Sequence, residues 1–385
     1  MRRRGSRASW SVRPVVLAAV VSVLAPAAVR AEPYFMVRAG AKCNDCHTNL
    51  TGGGKRTAFA QIHSRDILHD YDFLPIPAGA KAFNGELNSW VSIGGDLRTR
   101  STTVFTDDPD ADGRVDNNRA FRDDVDSSDL DVRQFTLYGQ IDLWPDVLTL
   151  YADENFNGGA TNREAMAIIR GFLPWDTYVK GGRLYPTFGL RVQDDDAFIR
   201  RRSGFTFENP DAGAEIGFAP GPLFVASSVT NGQGGDGDFL ATINAYSVFT
   251  ELPVVRNALA GGSFARQSDK RNVGGFYAGT NLWKFTGLVE FDIITDNQVS
   301  TEGRRDQYAA YSELHFLAFD WLDFRGTYEF VKVSNDNDET RWTIGAEPFI
   351  NKFLQPRIQY RINNGPESDP QLNRAELWAE LHLFF

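Results

Sequence analysis

Sulfur is scarce in this chain: 385 residues include two cysteines and three methionines. Both cysteines fall within one short motif, so a disulfide framework, which needs several bridges across a small domain, is excluded. Net positive charge is missing as well. The formal balance is −10, and a nucleic-acid backbone, which attracts proteins through a cationic surface, is thereby excluded as a partner. Beyond residue 31 no stretch approaches the roughly 18 unbroken apolar residues of a transmembrane helix. Any membrane insertion of the mature chain therefore has to use strands. Disorder is excluded by a hydrophobic share of 42% against 23% charged residues.

What the chain holds in quantity is glycine (35), phenylalanine (29), tyrosine (12) and tryptophan (8). That balance favours strands, tight turns and aromatic girdles over packed helices. From about Ser89 onward, apolar and polar residues alternate in strand-length segments separated by turn signals. The turns themselves alternate in length. Trp144-Pro145-Asp146, Pro174-Trp175-Asp176, Ala219 to Pro222, Trp283 to Phe285, Phe319 to Trp321 and Asn351 to Phe353 are short. Thr106 to Leu130, Asn155 to Asn162, Thr187 to Pro210, Asn231 to Asp238, Thr295 to Arg305, Ser334 to Glu339 and Asn363 to Gln371 read as longer polar connections. This is the pattern of an all-β transmembrane barrel with tight turns in the periplasm and loops outside, and the segments give about sixteen antiparallel strands. Trp144, Trp175, Tyr178, Trp283, Phe285, Phe319, Trp321 and Phe353 crowd the short turns, where an interfacial girdle belongs.

The last segment alternates cleanly. Leu377, Ala379, Leu381, Leu383 and Phe385 suit lipid, and Glu376, Trp378, Glu380, His382 and Phe384 the lumen. Gln355, Arg357, Gln359 and Arg361 alternate with apolar residues in the same way, which predicts a polar interior. His315 and His382 are expected to point inward as wall residues.

At the N-terminus, Arg2, Arg3, Arg4, Arg7 and Arg13 precede an apolar run from Val15 to Leu24 and the small-residue site Val29-Arg30-Ala31. This predicts an export signal over residues 1–31, cleaved after Ala31. The remaining chain divides into a small helical segment, 32–88, and the barrel, 89–385.

The cysteines lie in Cys43-Asn44-Asp45-Cys46-His47, the spacing of c-type haem attachment. Thiols one helical turn apart can add to the two vinyl groups of a haem, and the next residue offers its imidazole to the iron. A dithiol redox pair or half a zinc site use the same cysteines and stay open as alternatives. For the sixth iron position His63, His69 and Met36 are within reach, His63 ahead of His69, because a helix over Thr57 to His69 would place it beside Phe59 and Ile62. Gly52-Gly53-Gly54 reads as a tight or flexible turn next to the motif. In the first long connection Asp108, Asp110, Asp112 and Asp116 match the opening of a calcium loop. Position twelve, however, is Arg119, and a solvated acidic loop is the commoner meaning.

Export signal, Cys43-to-His47 motif and a barrel ending in Phe385 together resemble the fused outer-membrane cytochrome–porins, whose characterised members oxidise ferrous iron at the cell surface. The terminal phenylalanine is itself similar to the C-terminal signature of bacterial outer-membrane proteins. The family resemblance implies Cys43 and Cys46 as thioether sites for one covalent haem c and His47 as an axial ligand. It implies electron transfer across the outer membrane between an extracellular donor or acceptor, ferrous or ferric iron among them, and a periplasmic carrier. The haem segment would then plug the barrel, since a haem hanging below it could not bridge an apolar band about 25 Å tall. The alternatives are a diffusion porin for small solutes with the haem segment as gate or sensor, and a haem enzyme with an open iron position.

Overall fold

A computed structural model describes residues 32–60, 73–106, 113, 115, 122, 124–232, 238–299, 303–333 and 337–385. The export signal, His63, His69, Asp108, Asp110, Asp112 and Asp116 lie outside the described residues. Sixteen antiparallel strands close into one barrel, each paired with its neighbour in sequence and the first, β1 (Val91–Thr106), paired with the last, β16 (Arg374–Phe384). The closing register runs from Asp96 opposite Phe384 to Phe105 opposite Ala375. Closure removes the unpaired edges that an open sheet would expose.

Strand parity separates two environments. In β13 (Leu322–Val333), Asp323, Arg325, Thr327, Glu329 and Val331 are buried toward the lumen. In β16, Trp378, Glu380, His382 and Phe384 are buried while Leu377, Leu381 and Leu383 are exposed, as their alternation predicts. Phe276, Ile293, Phe324, Ile344 and Ile358 are likewise exposed. A continuous apolar outer belt of this kind is far larger than the patches of a soluble monomer, and lipid is the solvent that suits it.

The connections follow the expected long–short alternation, with differences. A turn between β8 (Leu240–Thr250) and β9 (Asn257–Gln267) was not apparent from the sequence, because Leu252, Pro253, Val254 and Val255 look like strand. Asp124 already begins β2 (Asp124–Trp144), and the Thr295-to-Arg305 stretch is mostly strand, β11 running to Val299 and β12 starting at Gly303. Polar residues there extend the strands beyond the apolar belt. Trp144, Trp175, Trp283 and Phe319 are exposed at the short turns as a girdle requires. Tyr178 is not. It opens β5 (Tyr178–Leu184) on the lumen side, lies across Gly217 of the next strand, and donates to Glu215 Oε1 at 2.7 Å.

Two segments occupy the lumen. The connection 185–210, between β5 and β6 (Asp211–Phe218), folds inward and buries Tyr185, Phe188, Leu190, Val192, Ala197 and Ile199. Its helix α4 (Phe198–Ser203) is held where the Phe198 N–H donates to Glu329 Oε2 at 2.7 Å and Arg341 donates to Asp196 O at 2.6 Å. Residues 32–60 enter near the short-turn end. There helix α1 (Pro33–Ala39) is capped by Gly40 at φ 69°, and one turn, α2 (Cys43–Cys46), follows. Residues 73–83 then run along the short-turn rim, with Phe73 against Trp321 at 5.2 Å and Lys352 donating to Lys81 O and Phe83 O. That path includes helix α3 (Ala78–Ala82) and leads the chain into β1.

Candidate functional site

The lumenal segment is tied to the wall by polar contacts along its length. Arg38 donates to Thr286 Oγ1 at 3.2 Å and meets the buried Asp323 carboxylate at 3.5 Å. Asp323 is also bonded to His315, and the His315 ring stacks on Tyr34 with centroids 3.6 Å apart. Asn257 donates to Val37 O at 3.0 Å and Arg38 O at 2.8 Å. Further along, Asn49 donates to both Glu164 oxygens at 2.8 and 3.0 Å, and Lys180 donates to Asn49 Oδ1 at 2.7 Å. These bonds satisfy much of the buried polar surface across the junction, which packing a polar peptide into a closed space requires.

Between this segment and the inward connection lies a cavity of about 1340 Å³ including the solvent it opens to. Cys43, Cys46, His47 and Met36 all line it, together with Gly52, Gly53 and Gly54. The two thiols are not joined in a disulfide and lie one helical turn apart on α2. Cys43 Sγ lies 3.8 Å from Met36 Sδ, and the Cys43 N–H donates to Tyr246 Oη at 3.2 Å. Burial pushes both thiols up from their ordinary range, Cys46 further assisted by Asp45. Neutral buried thiols lack the low-pKa thiolate on which dithiol redox chemistry relies. Among the described residues no group of three or more His, Cys, Asp or Glu side chains is gathered as a metal site, so the half-zinc alternative gains no second ligand pair.

The three glycines are required by backbone shape. Their φ angles are 91°, 80° and 67°, a region side-chain-bearing residues rarely adopt. A Cβ on Gly54 would also overlap the Tyr151 hydroxyl, and one on Gly52 would lie 3.4 Å from Cys43 Sγ. The turn therefore brings the backbone against the first thiol. Phe224, Tyr246, Tyr277, Tyr138, Phe384 and Phe385 give the cavity an aromatic wall. Tyr246 and Tyr277 converge over Gly261, whose Cβ would come within 2.7 and 2.5 Å of them, so a glycine there sets the shape of that wall.

The guanidinium groups at the rim could not be found from the sequence. Arg163 of β4 (Thr161–Arg170) donates through Nε to Tyr185 Oη at 2.7 Å. Arg191 donates to Gly52 O at 2.7 Å and Tyr185 O at 2.9 Å. They are 28 positions from one another and 116 or more from the motif in sequence, and only barrel closure plus the inward connection assembles them. His382 pairs with Asp96 at 3.1 Å and His315 with Glu313 and Asp323, so both are wall residues as expected.

No family model matches this chain, and no curated protein matches it by sequence. Solved structures do. OmpT of Vibrio cholerae is similar with a TM-score of 0.56 and 11% identity over 78% of this chain and 99% of that one. OprB of Pseudomonas putida gives a TM-score of 0.58 and 11% identity over 78% and 95%. An anion-selective porin from Comamonas acidovorans gives 0.52 and 12% over 77% and 99%. At these identities the likeness is one of fold, and the fold is that of outer-membrane porin barrels.

Proposed function

We propose that this chain is an outer-membrane porin-type barrel that carries one haem c on Cys43 and Cys46 inside its lumen. In this reading it passes single electrons between an extracellular donor or acceptor and a periplasmic carrier. The barrel half of the reading is supported by the fold and the apolar outer belt. The electron half is carried by one observation: Cys43, Cys46, His47 and Met36 open together on a cavity enclosed by the barrel wall. A cofactor held there has less of the apolar band to bridge on either side than one suspended beneath it.

The donor set suits the group. Cys43 and Cys46 would hold it by thioether bonds and His47 would serve as axial ligand, with Met36, His63 and His69 as the other ligand candidates. When bound, a haem supplies a one-electron iron couple whose potential is set by ligation and burial. The protein's part is to orient and enclose: Tyr246 fixes the backbone at Cys43, the glycine turn passes close beside the thiol, and aromatic side chains give the cavity an apolar wall. Residues 1–31 would be the export signal, 32–88 the haem-bearing segment and 89–385 the barrel, with extracellular iron one candidate redox partner.

A second reading, diffusion of small solutes past the lumenal segment, is favoured by the porins among the similar structures and by lumenal charges such as Arg325, Glu329, Arg341 and Arg357. One experiment separates the two. Purified protein is oriented in liposomes loaded with a redox dye, and a membrane-impermeant reductant is added outside. Dye reduction that requires Cys43 and Cys46, with low single-channel conductance in planar bilayers, is the outcome expected of electron transfer. An unchanged dye with large conductance would establish the solute channel instead.

A further inference from the structure

We infer that Arg163 and Arg191 form a carboxylate-binding clamp in the lumenal cavity, the site that receives the propionates of the bound haem; this rests on the haem reading above. Most lumenal arginines are neutralised locally: Arg325 lies 2.7 Å from Glu313, Arg341 2.7 Å from Glu329 and Arg357 2.7 Å from Glu32. Arg163 and Arg191 have no carboxylate within ion-pair distance among the described residues. Their hydrogen bonds go to neutral groups, Tyr185, Thr136 and the Gly52 carbonyl. The nearby Asp153 carboxylate is already committed to the Glu164 N–H at 2.6 Å.

Both guanidinium groups lie within 6 Å of one ring, 5.8 and 5.4 Å from the Tyr185 centroid, and Arg163 is also 5.2 Å from Phe207. The two groups flank Tyr185, Arg163 at its hydroxyl and Arg191 at its carbonyl, and both are half-buried, so an anion entering the cavity would meet two donors already stripped of part of their water. Planar guanidinium groups match carboxylate geometry with paired hydrogen bonds. The link to the attachment site is direct. Arg191 holds Gly52 O, and a Cβ on Gly52 would lie 3.4 Å from Cys43 Sγ, so the turn that Arg191 grips runs alongside the thiol. A carboxylate-bearing group fixed at Cys43 would therefore have Arg191 close by and Arg163 on the same cavity.

A free dicarboxylate solute would meet the same chemistry, and the test distinguishes the two sources. Intact-mass measurement of the mature membrane protein first reports whether a porphyrin is attached. If it is, the midpoint potential is titrated against pH for the wild type, the double variant Arg163→Leu/Arg191→Leu and the double variant Arg163→Lys/Arg191→Lys. Loss of both cations is expected to lower the potential and to move the pH at which it begins to fall to higher values, because unpaired propionates ionise less readily and favour the oxidised iron. The lysine variant should return most of both changes. An unaltered potential and pH profile in a leucine variant that retains haem overturns the clamp. If no porphyrin is attached, the haem reading fails on its own. Then succinate block of wild-type channel conductance that disappears in the leucine variant supports the site with a solute as its ligand, and absence of block overturns it.

Discussion

At the scale of single residues, Lys55 shows how tightly the lumenal segment is enclosed. Its ammonium is buried, donating to Arg56 O and Gln140 Oε1 at 3.1 and 3.2 Å, and burial lowers its pKa from 10.5 to about 8 against the opposing pull of Asp142 and Glu86. A released segment would hold its proton up to the ordinary value, so between these limits the released form binds more protons. Docking therefore strengthens as pH rises from about 8 to 10.5, by roughly 3 kcal/mol. The penalty of the buried cation is fully present below that window. The hydrogen-exchange protection factors of residues 33–56, taken relative to the intrinsic rate at each pH, should rise across it, and Lys55→Met should flatten the profile. Gly54→Ala offers a second check: a side chain at φ 67° that also overlaps Tyr151 should cost about 1–3 kcal/mol and make the segment sensitive to protease. That Cys43, Cys46 and His47 would open on one space was legible because their spacing is local, three positions and then one. Arg163 and Arg191 were not, since nothing in an alternating strand or in the Thr187-to-Pro210 connection marks which arginine will go without a carboxylate.

At the scale of elements, most strands could be read from parity, as β15 (Leu354–Asn364) and β16 demonstrate residue by residue. The failures have physical causes. Val254 and Val255 in the β8–β9 turn have strand-like side chains, while Tyr178 belongs to the lumen because the register sets it against Gly217. The course of residues 185–210 into the barrel depends on partners in β11 (Phe285–Val299), β13 and β14 (Asn337–Pro348) that lie far away in sequence. Helix α1, only seven residues long, gains its place from the wall rather than from its own propensity. Arg38→Met would leave Asp323 with His315 as its remaining ionic partner and should weaken docking by about 3 kcal/mol, the lower end for breaking a buried pair. The expected readout is a rise in single-channel conductance together with protease access to residues 33–56.

At the scale of the whole molecule, the outer belt and the filled lumen pull in opposite chemical directions, and the wall is one residue thick between them. Ile293 lies mid-strand on the lipid side, 47% exposed in the isolated chain, and pairs with Gly274 and Tyr308. Ile293→Arg should cost about 2–4 kcal/mol in the bilayer, measured as a shift of the urea unfolding midpoint in vesicles. In detergent micelles, which adapt around a charge, the same substitution should have a smaller effect. A comparable penalty in both media would mean that this face meets something other than lipid.

The pairing of β1 with β16 also sets an order of events. Cys46 ends up 2% exposed behind a continuous hydrogen-bonded wall, with the 185–210 connection above it and the 73–83 strap crossing the rim below. Under the proposed haem reading, a porphyrin would have to meet these sulfurs while the polypeptide is still open. Attachment would then precede insertion, and a chain that closed first would stay without the group.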